Sequence, residues 1–165
     1  DSHFVAVSVF LWRETMKIEE LGLQADVEAT ARHLLALFPM IVFTSGRRSR
    51  EDQSRAMAQN VVSNRRWIER TYKSTGISRA CQLWIDKHPQ ANTVEELQEG
   101  ILQVLNLYSD NALTALSKHF SGRAFDIQPV LGASGEQIKQ EIRRLPHLQK
   151  FLDHEGGLVR WHLDF

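Results

Sequence analysis

The sequence predicts an α+β domain with a small, mainly antiparallel sheet flanked by helices. Three observations carry this: amphipathic stripes with capping signatures recur along the chain, short apolar or alternating runs stand between them, and Leu158 to Phe165 (LVRWHLDF) alternates strictly. Val27, Ala31, Leu34, Leu35 and Phe38 fall at helical spacing, and Pro39 ends that helix. Met40 to Thr44 (MIVFT) suits a short buried strand, and Ser45-Gly46 turns the chain. Ser49 with Asp52 resembles a capping box and predicts a helix running past Met57. From Val61 to Lys87 the pattern is helical but irregular, with a break near Thr75-Gly76. Thr93 and Glu96 open another helix through Leu97, Ile101, Val104, Leu105 and Tyr108, and Ser134 with Gln137 opens one that Pro146 stops. Arg123 to Gln128 (RAFDIQ) reads as a strand. In the closing strand Val159, Trp161, Leu163 and Phe165 share one face, while Leu158, Arg160, His162 and Asp164 share the other.

Length and composition bound the function. The 165 residues amount to one domain, without repeats or low-complexity linkers. Lys plus Arg and Asp plus Glu each number 20, and this balance argues against a dedicated nucleic-acid binder, which needs a cationic surplus. Apolar residues at 42% and charged residues at 24% exclude wholesale disorder, and the single Cys81 excludes an intramolecular disulfide. No apolar run approaches the roughly 20 residues of a membrane span. Phe4 to Trp12 is apolar but short, and no basic residue precedes it as in a secretory signal.

Two of the seven histidines stand apart. His3, His33, His88 and His147 have no second ligand nearby in sequence and read as solvated or simply hydrogen-bonded. His119 lies seven residues before Asp126 in Ser117-Lys-His-Phe-Ser-Gly-Arg-Ala-Phe-Asp126. Gly122 permits a tight turn or a close backbone approach between them, and Ala124 leaves room beside the aspartate. An imidazole on a loop and a carboxylate on the following strand can converge on one point, and His162 adds a third candidate ligand. Nitrogen and oxygen ligands suit zinc, and three protein ligands leave the open position of a catalytic site. By spacing alone, Arg160, His162 and Asp164 equally describe the solvated side of an edge strand.

The block Ser117-x-His119-x-x-Gly122-x-Ala124-x-Asp126, followed by Trp161-His162, resembles the zinc-ligand signature of the D-alanyl-D-alanine carboxypeptidase family. That family includes vancomycin-resistance D,D-peptidases and phage L-alanyl-D-glutamate endolysins, and shares its fold with the hedgehog signalling domain. Thr44-Ser45-Gly46-Arg47-Arg48-Ser49 is similar to the family's Ser-Gly-Tyr-Arg-Ser element, with Arg47 in place of the aromatic. The resemblance implies one zinc ion on His119, Asp126 and His162. It also implies Ser117 lining the substrate cleft and Arg48 contacting a substrate carboxylate or the oxyanion, tasks that suit a guanidinium's planar fork of donors. It implies hydrolysis of a peptidoglycan stem peptide in the periplasm or cell wall, as a D,D-carboxypeptidase or an endopeptidase, by a monomer with no nucleic-acid partner.

The chain departs from the family pattern twice. The family places an acid three residues before its last histidine, and Val159 stands there, assigned by alternation to the apolar face. Glu155, in His154-Glu155-Gly156-Gly157, is the first candidate for the catalytic base, because the paired glycines can fold its carboxylate over the metal. Asp164 is the second and His154 the third. The second departure is a helical insertion around residues 61–110, placed to wall the cleft, contact a glycan or bind a protein. Residues 46–73 carry eight Lys and Arg against three acids, 8 − 3 = +5, which reads as a solvated face or as attraction toward an anionic wall polymer. A non-catalytic zinc module of the same fold is the alternative to the peptidase.

Overall fold

The computed structural model describes residues 16–165, so His3 and the Phe4–Trp12 run lie outside the described residues. Helix α1 covers Ala25–Leu37 and presents Val27, Ala31 and Leu34 to the interior. Strand β1 covers Phe43–Ser45, shorter than the five-residue run expected. Ser49 caps helix α2 (Arg50–Val61) by accepting the Asp52 amide N–H. The irregular stretch resolves into α3 (Trp67–Thr71) and α4 (Gly76–Lys87), and Thr75 closes a capping box with Ser78 at the expected break. Thr93 and Glu96 form the second box, at the start of α5 (Val94–Leu105), and a single turn, α6, covers Asp110–Leu113. Helix α7 spans Gly132–Arg143. Its N-cap is Leu131, so the Ser134–Gln137 pair sits inside the first turns rather than ahead of them.

Strands β2 (Ala124–Ile127), β3 (Lys150–Glu155) and β4 (Leu158–Asp164) complete a four-stranded antiparallel sheet in the order β1-β2-β4-β3. The architecture is therefore α+β, a small antiparallel sheet flanked by helices, as expected. Strand β3 was not expected. Gly156 (φ 57°) and Gly157 (φ 81°) form a two-residue turn between β3 and β4, and consecutive positive φ values match the right-handed twist of a hairpin. Pairing on both sides makes β4 a central strand, so its polar face is not the solvated side of an edge strand.

Alternation in β4 also fails at one end. The β3–β4 register shifts between Leu152 and His154, so Arg160 and Trp161 together oppose Asp153. Trp161, Leu163 and Phe165 are buried, whereas Val159, expected beside them on the apolar face, is 52% exposed.

Two apolar clusters hold the molecule. One packs α1 and α7 on the sheet through Phe43, Phe125, Ile127, Trp161, Leu163 and Phe165. The other joins α2 to α5, with Met57, Ile68, Cys81, Ile85, Leu97 and Ile101 at its centre, so residues 61–110 are helical as expected. Arg160 bridges the two layers: its guanidinium lies 5.5 Å over the Trp67 ring and donates to Asn60 Oδ1. Gly156 packs so closely on Trp67 that a Cβ there has no room. Among the described residues no helix is long and apolar enough to cross a membrane.

Candidate metal centre

Local backbone geometry brings His119, Asp126 and His162 together. His119 lies in a 3-10 turn, Lys118–Ser121, whose N-cap Ser117 accepts the His119 amide N–H. Gly122 ends the turn in the left-handed region (φ 73°) and passes so close to the α1 side that a Cβ would stand 2.8 Å from the Gly22 carbonyl oxygen. It thus provides both the tight turn and the close approach. Gly122→Ala is expected to cost at least about 1–2 kcal/mol, from left-handed strain plus the backbone clash, read as a lower urea midpoint. Gly46 is equally constrained, because a Cβ there would collide with the Leu21 backbone. This tight packing lets the Gly46 carbonyl face His119, while Arg48 N–H donates to the His119 carbonyl at 3.1 Å.

Asp126 and His162 are cross-strand partners in the β2–β4 ladder. His162 Nδ1 lies 2.7 Å from Asp126 Oδ1, and His119 Nε2 lies 3.4 Å from the same oxygen. Ligand atoms of the three residues all fall within 4.8 Å of one another.

The outer nitrogen of each ring is already occupied. His119 Nδ1 sits 2.7 Å from the Gly46 carbonyl, which only accepts, so Nδ1 carries a hydrogen and Nε2 is the ring nitrogen that a metal ion would use. His162 Nε2 sits 2.7 Å from Asp164 Oδ1, which selects Nδ1 as the inward donor atom. Carboxylate and carbonyl partners of this kind fix tautomer and ring orientation in metal sites. Arg48 Nη2 donates to Asp126 Oδ2 at 2.9 Å, holding that carboxylate with Oδ1 toward the imidazoles. Two imidazole nitrogens and one carboxylate oxygen, each oriented from behind, fit a zinc ion with a position to spare.

Electrostatics agree with competition between protons and a cation. Burial disfavours charge on both Asp126 and His162, but their partners win. His119 and His162 hold the Asp126 carboxyl well below the usual range, and Asp126 with Asp164 pushes His162 up to about 10. Without metal, His162 is protonated at neutral pH, and its contribution to stability is full below about 6.5 and fades as pH rises through about 10. A zinc ion held by these residues would have to displace that proton. Zinc affinity is therefore expected to rise about tenfold per pH unit through neutrality, with close to one proton released per ion in calorimetry run in buffers of different ionisation enthalpy.

The three residues line one cleft together with Arg48, Ser117, Glu155, Asp164 and Leu152, and residues Thr71 to Lys73 at the end of α3 form another wall. Glu155 ends β3 at the glycine turn, and its carboxylate makes no hydrogen bond or ion pair among the described residues. Asp164, the second candidate base, is engaged with His162. His154, the third, is exposed, pairs with Asp153 and does not border the cleft.

No protein-family model, curated protein or solved structure matches the chain. The chemistry of the cleft is read from its own residues.

The insertion around residues 61–110 does wall the cleft, through Thr71 to Lys73, but the sequence named Asp164 only as a candidate base and gave no place to Gln53 or Tyr72. Buried Gln53 accepts from Arg48 Nη1, and Asp164 orients His162. The shared strand face that made Asp164 a candidate base also sets it beside His162; Gln53 carries no signal, because a glutamine inside a helix is ordinarily solvated.

Proposed function

We propose that this chain is a zinc-dependent peptidase hydrolysing an amide bond in bacterial peptidoglycan stem peptides, acting in the periplasm or cell wall. One observation carries the reading: His119 Nε2, Asp126 Oδ1 and His162 Nδ1 face one another in a cleft that also contains an unengaged carboxylate, Glu155. The resemblance of the Ser117–Asp126 block and of Trp161-His162 to peptidoglycan peptidases adds the substrate class.

A zinc ion in this ligand set supplies Lewis acidity and activates water near neutral pH. Glu155 accepts the proton of the attacking water on its carboxylate and returns it to the leaving amine. Arg48 holds Asp126 and presents its remaining donors to a substrate carboxylate or oxyanion, and Ser117 lines the cleft while bracing the His119 turn. The test is incubation of the zinc-loaded protein with defined muropeptides, with products identified by mass. A single hydrolytic product names the bond, as D,D-carboxypeptidase or endopeptidase.

A second reading, a non-catalytic zinc module that binds wall or protein, is favoured by the absence of an acid at Val159. It predicts one zinc per chain, retention on peptidoglycan and an unchanged muropeptide mass.

A further inference from the structure

The helical layer brings its own polar group to the cleft. Tyr72 follows α3 and lines the same space as His119, Asp126, His162 and Glu155. Its role is set by a chain of hydrogen bonds whose direction can be read from one end. Arg48 can only donate, so the Gln53 amide that meets Arg48 Nη1 at 3.3 Å must present its oxygen. The amide nitrogen of Gln53 is therefore the atom 2.9 Å from the Tyr72 hydroxyl, and that hydroxyl accepts. Gln53 is fully buried, so the amide has no water-facing alternative. With its lone pair engaged from behind, the phenol retains a proton for which no acceptor stands among the described residues. On the same wall, the buried Thr71 hydroxyl has no hydrogen-bond partner among the described residues.

Resting on the peptidase reading above, we propose that the Tyr72 hydroxyl is a catalytic hydrogen-bond donor to the substrate carbonyl oxygen as that oxygen gains negative charge. Arg48 gives one bond from each terminal nitrogen to Asp126 and Gln53, and a separate donor for this oxygen leaves its remaining N–H groups to a substrate carboxylate. A neutral donor fixed in place, beside a cleft, stabilises developing charge without reorganisation. Burial, reinforced by nearby Glu155 and Asp126, pushes the phenol up to about 12, so Tyr72 keeps its hydrogen across the neutral range.

The probe is a phosphinate dipeptide, a stable tetrahedral anion, titrated into the zinc-loaded full chain. Tyr72→Phe is expected to weaken phosphinate binding about 10²-fold while zinc affinity stays unchanged. With only two tyrosines in the chain, carbon-labelled tyrosine gives two ring Cζ resonances, and the one from Tyr72 is expected to shift when phosphinate binds. Should Tyr72→Phe fail to fold, Tyr108→Phe assigns the resonance. Equal phosphinate affinity in both proteins, an unmoved Tyr72 resonance, or zinc affinity falling in step with phosphinate affinity overturns the proposal. The last result makes Tyr72 a positioning residue acting through Gln53 and Arg48. The expected pattern without cleavage of any stem peptide upholds Tyr72 as donor to a tetrahedral oxyanion and refutes stem peptides as the substrate.

Discussion

His119→Ala is expected to abolish both zinc retention and peptidoglycan hydrolysis. Partners that merely orient a ligand are worth about 10–100-fold in metal affinity, and loss of the ligand itself exceeds that. The substitution also removes the buried ring that pairs with the Gly46 carbonyl, leaving an acceptor unsatisfied at a cost of about 1–3 kcal/mol. A lower melting temperature therefore accompanies the lost metal, and the two effects separate by comparison with chelated, dialysed wild type, which loses zinc but keeps His119. Metal content by elemental analysis and muropeptide turnover are read on the same samples. Turnover that persists in zinc-free protein removes the peptidase mechanism.

Glu155→Gln carries the second large effect, and it falls on turnover alone. The side chain keeps its shape, and the three ligand atoms do not involve it, so zinc content stays at the wild-type value. A positioned general base contributes about 10²–10⁴-fold, and kcat is expected to fall within that range. Unchanged turnover transfers the base to another group. Asp164 is the less suitable heir, because its Oδ1 is 2.7 Å from His162 Nε2 and serves to hold that ring.

The fold class was legible because helix stripes and caps depend on local spacing alone: Thr93 and Glu96 make their box, and Thr75 starts a helix where the pattern breaks. His119, Asp126 and His162 meet as the resemblance of their flanking motifs implied, where spacing alone left His162 equally on a solvated edge. Strand β3 escaped notice because Lys150 to Glu155 lacks strong alternation; its residues range from half-buried to exposed. The signal present was the glycine pair, which marks a two-residue hairpin turn as readily as a loose loop. Val159 escaped for a different reason: a register shift is a property of two paired strands, and strict period-two counting along one strand cannot contain it. Tyr72 and Gln53 were hidden because their meeting with Arg48 depends on how α2 and α3 pack, which no spacing in the chain encodes.

The seat of Gly156 against Trp67, with Arg160 clamped over the same indole, mechanically couples the hairpin tip to the helix before Tyr72. Glu155, at the end of β3, and Tyr72, just past α3, therefore owe their mutual spacing to one indole, and Gly156→Ala, which prises hairpin from helix, is expected to displace both side chains at once.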